Sequence, residues 1–183
     1  LLESLTAWRD DPELWTAEPT VVFPAANPVE VVRCPHDNSE VVGQCRPASA
    51  AEIGEMIERA QGFQTAWDEL GGPNRAARLD EVADLYESHR DQFLSLCQRE
   101  AGKSLVDAVL ELREAVDFLR YYATEARRLF TPEGEALPGP TGESNRMTLH
   151  GRGVFVAISP WNFPLAIFTG LIARLGVPAL AGY

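Results

Sequence analysis

Gly151-Arg-Gly-Val-Phe-Val-Ala-Ile-Ser-Pro-Trp-Asn-Phe-Pro-Leu165 is the stretch on which the fold turns. Gly153 to Ser159 is a continuous apolar, β-branched run, the pattern of a strand buried on both faces of a parallel sheet. Ser159-Pro160-Trp161-Asn162-Phe163-Pro164 follows it directly. In an open parallel sheet, ligands bind beyond the carboxyl ends of the strands. Asn162 stands there between Trp161 and Phe163, with Pro160 and Pro164 outside them, so its side chain is stiffly presented. Its amide can donate to an oxygen that gains negative charge during a reaction, and stiffness preserves the worth of such a donor. A rigid strand-to-helix turn with a capping asparagine fits the same pattern, and the pattern alone leaves both readings open.

Upstream, Arg146 to His150 reads as a further strand. Thr131 to Asn145 carries Pro132, Gly134, Pro138, Gly139, Pro140 and Gly142, which predicts a connecting loop without regular structure. Before it, Leu105, Val109, Leu112, Val116, Leu119, Ala123 and Ala126 alternate four and three apart. They predict a helix over 104–129, capped by Ser104 with Asp107 and about 38 Å long. Ser49-Ala50-Ala51-Glu52 is a capping box that opens another helix, with Ile53, Met56, Ile57, Ala60, Phe63 and Trp67 on its apolar face. Gly71-Gly72-Pro73-Asn74 is expected to end that helix and cap the next. The next apolar face runs through Leu79, Val82, Ala83 and Tyr86 and continues to Phe93, Leu96 and Cys97, until Gly102 interrupts. Val21-Val22-Phe23, Val29 to Arg33 and Glu40 to Cys45 are β-prone, separated by Pro24, Pro28 and the turn-prone His36-Asp37-Asn38-Ser39. Residues 1–20 read as an acidic, Trp-bearing leader that packs on something else. The fold class is therefore α/β.

Composition narrows the function classes. A chain of 183 residues, 45% hydrophobic and 23% charged, matches one soluble domain. Its formal net charge of −11 makes nucleic acid and anionic lipid surfaces poor partners. Gly153 to Ala173 is uncharged and long enough to cross a bilayer, but Pro160, Asn162, Pro164 and Gly170 argue against a transmembrane segment. Cys34, Cys45 and Cys97 form no Cys-x-x-Cys pair, and His36, His89 and His150 share no ligand spacing, so no metal site is expected. A reducing, cytoplasmic setting fits the cysteines. Cys97, on an apolar helix face, reads as a buried structural thiol. Gly151-x-Gly153 precedes its strand and so is not a dinucleotide fingerprint. The chain begins Leu1-Leu2-Glu3 without Met or signal peptide, which reads as a cut inside a longer polypeptide.

The 151–165 stretch resembles the signature of the aldehyde dehydrogenase superfamily. Asn27-Pro28, Val41-Val42-Gly43, Ala66-Trp67 and Arg99-Glu100-Ala101-Gly102-Lys103 occur in that family's order. The resemblance implies the amino-terminal part of an NAD-binding domain over 21–183, incomplete, with an amino-terminal hairpin, long helices and the first strand of a parallel sheet. It implies that Asn162 is the oxyanion-hole donor and that Ile158, Ser159, Pro160 and Trp161 line the NAD site. Phe163 is implied to wall the aldehyde tunnel.

A narrower resemblance, in Glu114-Ala-Val-Asp-Phe-Leu-Arg-Tyr-Tyr-Ala123, Leu137-Pro-Gly-Pro-Thr-Gly-Glu-Ser-Asn145 and Pro164-Leu-Ala-Ile-Phe-Thr-Gly170, is to the proline utilization A family. It implies oxidation of glutamate γ-semialdehyde, the open form of pyrroline-5-carboxylate, to glutamate in proline catabolism, with Glu114 near the substrate amino group. A solvated helix charge is the other reading of Glu114. FAD is implied only if a proline dehydrogenase domain lies elsewhere in the parent. The parent is expected to be a homo-oligomer, peripheral to a membrane at most through other parts.

The family's nucleophilic cysteine and water-activating glutamate lie downstream of the Trp-Asn-Phe-Pro turn, so the 183 residues alone are expected to be inactive. The segment after residue 170, with Pro178 and Tyr183, departs from the family pattern. A dehydrogenase for another aldehyde, and a non-catalytic fragment or interaction module, are the alternatives.

Overall fold

The computed structural model describes residues 15–19 and 27–175. Most of the acidic leader, the Val21–Phe23 run and the residues from 176 onward lie outside the described residues. In chain order the elements are β1 (Trp15–Ala17), β2 (Glu30–Arg33), β3 (Val41–Cys45), α1 (Ala50–Glu69), α2 (Gly71–Ser88), α3 (Arg90–Arg99) and α4 (Leu105–Leu129). There follow β4 (Glu135–Leu137), β5 (Asn145–Met147) and α5 (Ala166–Leu175).

β2 and β3 form the expected hairpin, with a register irregularity at Val32/Arg33, and the end of the leader adds β1 to β3 in parallel. The Asp37 carboxylate closes the turn by accepting from the Ser39 amide at 2.9 Å and its hydroxyl at 2.6 Å. The Ser49 capping box is complete: the Glu52 amide donates to Ser49 Oγ, and Glu52 Oε2 accepts from the Ser49 amide at 2.8 Å. Glu52 is fully buried, and Arg46 neutralises it at 2.9 Å.

The core is a stack of helices on α4. Ala83, Leu119 and Ala173 join α2, α4 and α5, while Leu94, Cys97, Ala108 and Leu112 join α3 to α4. Leu119 is 2% exposed, and its burial contributes about 2 kcal/mol. Small residues let these helices approach closely. A Cβ on Gly170 would stand 2.9 Å from the Phe118 ring, and one on Gly72 would stand 2.6 Å from the Phe130 carbonyl oxygen. Arg120 braces the α2–α4 seam from outside, donating to Asp80, Asp84 and Glu87.

Five expectations need correction. Residues 153–159 form no strand: no ladder partner reaches them among the described residues, and Val156 and Ile158 are about four-fifths exposed, at 79% and 81%. A β-branched run marks a strand only when neighbours supply the hydrogen bonds. The 131–145 connection is not wholly irregular, since β4 pairs antiparallel with β5, which ends at Met147 rather than His150. Gly72, Pro73 and Asn74 lie inside α2 and do not cap it. The break is made by Gly71 at φ +76°, where an L side chain is disfavoured. The α2 face does not run on to Cys97 unbroken, because His89 separates α3. Ile53, Ile57 and Phe63 on α1 are exposed, since α1 meets only a narrow strip of α2.

Candidate functional site at the Trp161–Pro164 turn

The turn at 160–164 is shaped by its own backbone. The Phe163 amide donates to the Pro160 carbonyl at 3.2 Å, and Ser159 Oγ donates to the Phe163 carbonyl at 3.2 Å. Pro160 and Pro164 fix φ on both sides, so few conformations remain open to the three residues between them. α5 starts immediately after, with the Thr169 amide donating to the Leu165 carbonyl. Asn162 is exposed, and its side-chain amide forms no hydrogen bond among the described residues. A donor without an internal partner on a stiff turn is ready for an external oxygen.

The turn is also held from α4 and the loop before it. Glu111 is 3% exposed, and its Oε2 accepts from the Leu165 amide at 3.2 Å. That amide belongs to the residue just before α5, at the end of the helix that carries partial positive charge. Lys103 Nζ lies 4.0 Å from the same oxygen and 5.0 Å from the centre of the Phe163 ring. Further back, Gly151 is pinned to α1: its amide donates to Asp68 at 2.6 Å, and its carbonyl accepts from Gln64 at 3.2 Å.

Beside the turn is a cavity of ≈ 390 Å³ lined by Leu96, Cys97, Ser159, Trp161, Leu165 and Phe168, among others. Its walls are mainly apolar and aromatic, as small-molecule pockets are. Cys97 has its thiol pushed up to about 12, first by burial and then by the Glu111 carboxylate. A thiol so raised is almost all protonated near neutrality and is a poor nucleophile, consistent with a structural role. Cys34 is likewise buried.

Ile158 and Trp161 are 81% and 82% exposed, Phe163 is 39% exposed, and Ser159 is half-buried. Pro160 is exposed. Glu114 is exposed on α4.

The aldehyde dehydrogenase family profile matches residues 24–182 of this chain. The chain belongs to the aldehyde dehydrogenase family. Among its relatives in that family is the bifunctional protein PutA of Escherichia coli (strain K12), 39% identical over 160 residues, which are 87% of this chain and 11% of the relative. The chain therefore spans about a tenth of that relative's length. A solved structure of proline utilization A from Bdellovibrio bacteriovorus, inactivated by N-propargylglycine, aligns with a TM-score of 0.84. It is 27% identical over 96% of this chain and 18% of its own. A 1-pyrroline-5-carboxylate dehydrogenase from Thermus with bound NAD aligns at a TM-score of 0.81, with 32% identity over 96% of this chain and 34% of its own.

No sequence motif places Glu111 and Lys103 against the turn. A signal was present. Glu111 falls three residues after Ala108 and four before Ala115, inside the buried stripe of α4, where a charge needs a partner. Glu114 lies one position off that stripe and is exposed. Among the described residues no helix is long and apolar enough to cross a membrane.

Proposed function

We propose that this chain is part of an NAD-dependent dehydrogenase that oxidises L-glutamate γ-semialdehyde to glutamate, with Asn162 stabilising the carbonyl oxygen as it becomes anionic. The observation that carries the reading is the unpartnered Asn162 amide on a turn clamped by its own backbone and by Glu111. The PutA and pyrroline-5-carboxylate dehydrogenase relatives support the choice of substrate. Glu114, an exposed carboxylate three residues beyond Glu111, is assigned to the substrate ammonium group, and the Phe163 ring to the wall along the aldehyde chain.

NAD, when bound, supplies the hydride acceptor. The residues at hand fit it in kind: Ile158 and Trp161 offer exposed apolar surface for a flat ring. The peptide groups around Ser159 and Pro160 lie outside any strand ladder. Ile158, Ser159, Pro160 and Trp161 would hold the cofactor. The nucleophilic cysteine is assigned to another part of the polypeptide: Cys97 is buried with its thiol protonated, Cys34 is buried, and Cys45 sits in β3, paired with Ala17 and Glu30.

The test uses the intact polypeptide that carries this segment. Wild type is assayed for NADH formation with glutamate γ-semialdehyde and with a panel of other semialdehydes, beside Asn162→Ala. Loss of one oxyanion donor lowers kcat by about 10²–10³. Wild-type preference for another aldehyde would refute the substrate, and unchanged kcat in Asn162→Ala would refute the role of Asn162.

A further inference from the structure

Glu111 and Lys103 do more than neutralise each other. Glu111 is 3% exposed and Lys103 has 14% of its side chain exposed. Burying a carboxylate is costly, and a well-packed apolar residue of similar size is commonly as stable or better. Nor is the carboxylate fully satisfied. Oε2 takes the Leu165 amide and faces Lys103, while Oε1 has no hydrogen-bond partner among the described residues.

Among the described residues, the pair also faces the Cys97 thiol on α3, but its one hydrogen bond and its one ring contact across the fold both fall at the turn. Glu111 grips Leu165, three residues after Asn162, and the Lys103 ammonium stands over the ring of Phe163, the residue next to Asn162. The two hydrogen bonds inside the turn set its shape and nothing more, since both begin and end within 159–163. The turn is held to α4 by the Glu111–Leu165 hydrogen bond, by the Leu165 side chain on the Leu94, Cys97, Ala108 and Leu112 cluster, and by α5 packing on α4.

We propose that the Lys103–Glu111 pair is a positioning device that sets where Asn162 stands relative to α4, and so where the developing oxyanion must lie. Glu111 touches neither substrate nor cofactor; it acts through the Leu165 amide, with Lys103 steadying both the carboxylate and the Phe163 ring. This rests on the role proposed above for Asn162. A misplacement of about 1 Å at a reacting group can cost about 10²-fold in rate.

The experiment uses the intact polypeptide and three variants, Glu111→Gln, Glu111→Leu and Lys103→Met, each at a temperature where circular dichroism shows it folded. Two readouts are taken. In the first, kcat and KM are measured with the best aldehyde substrate found for wild type, beside the Kd for NAD. Glu111→Leu is expected to lower kcat about 10²-fold with KM and the Kd for NAD within about 3-fold of wild type. Glu111→Gln, which keeps an acceptor for the Leu165 amide, is expected to retain most of the rate. A full kcat in folded Glu111→Leu overturns the positioning role, as does an equal loss in Glu111→Gln and Glu111→Leu.

The second readout is hydrogen exchange of the 159–165 peptide. Exchange at least 10-fold faster in Glu111→Leu than in Glu111→Gln supports the device even if wild type oxidises no aldehyde, in which case the functional reading alone fails. Unchanged exchange overturns the device whatever the activity.

Discussion

Gly72→Ala should loosen the α2–α4 seam on which the site is mounted. Gly72 is buried at the start of α2, and its amide donates to the Phe130 carbonyl at 3.1 Å. A Cβ there would press on the carbonyl oxygens of Ala126 and Phe130 and stand 2.9 Å from the Phe130 Cβ. Two of these obstacles are backbone atoms, so no side chain can swing aside to relieve them. Overpacking of this kind costs about 1–3 kcal/mol. Displacing the carbonyl also weakens the Gly72–Phe130 hydrogen bond, worth about 1 kcal/mol net. Against this, alanine gains about 1 kcal/mol over glycine in helix propensity. The balance is a loss of about 2 kcal/mol, which is about 30-fold in a local opening constant.

Native-state hydrogen exchange of peptides from α2 and the end of α4 reads that constant directly, without requiring global unfolding to be two-state. Gly54→Ala and Gly62→Ala on α1 are the controls: a Cβ meets nothing within 4 Å at either position. These two should protect α1 slightly, by up to about 1 kcal/mol. Exchange in Gly72→Ala equal to or slower than wild type would refute the steric argument, as would the same loss in the controls.

Two further outcomes follow from the same geometry, besides those for Asn162 and Glu111 above. Ser49→Ala removes the Oγ that caps α1 and touches the buried Glu52 carboxylate at 2.9 Å. It should speed exchange in the first turn of α1 by an amount corresponding to about 1 kcal/mol, and no change there would show the cap to be idle. Cys97 should resist iodoacetamide at pH 8 in the native state and react once unfolded, as peptide mass mapping will show. Its folded pKa of about 12 stands above the ordinary value of 9.0, so the stability linked to its neutral thiol is complete below 9 and fades as pH rises from 9 towards 12. Rapid alkylation of native Cys97 would contradict its burial.

Much of the local structure was legible because its causes are local. The Ser49 box, the Ser104 cap and the 25-residue span of α4 follow from hydrogen bonds and apolar spacing within one segment. The turn around Asn162 was legible for the same reason, as two prolines dictate it wherever it is placed. The pairing of β4 with β5 was hidden by the prolines and glycines around them. The strand expected at 153–159 failed for the opposite reason: its composition asks for neighbours, and composition cannot provide them.

The sequence by itself determined where α1 and α4 begin, the stiffness of the Asn162 turn and membership of the aldehyde dehydrogenase family. Only the tertiary structure decided that Glu111 holds that turn, and that Lys103 stands over Phe163. Helix caps and turns are settled by atoms a few residues apart. The partner of a buried charge is settled by which faces meet once α4 and α5 have packed, and the Glu111–Leu165 contact joins residues 54 apart in the chain.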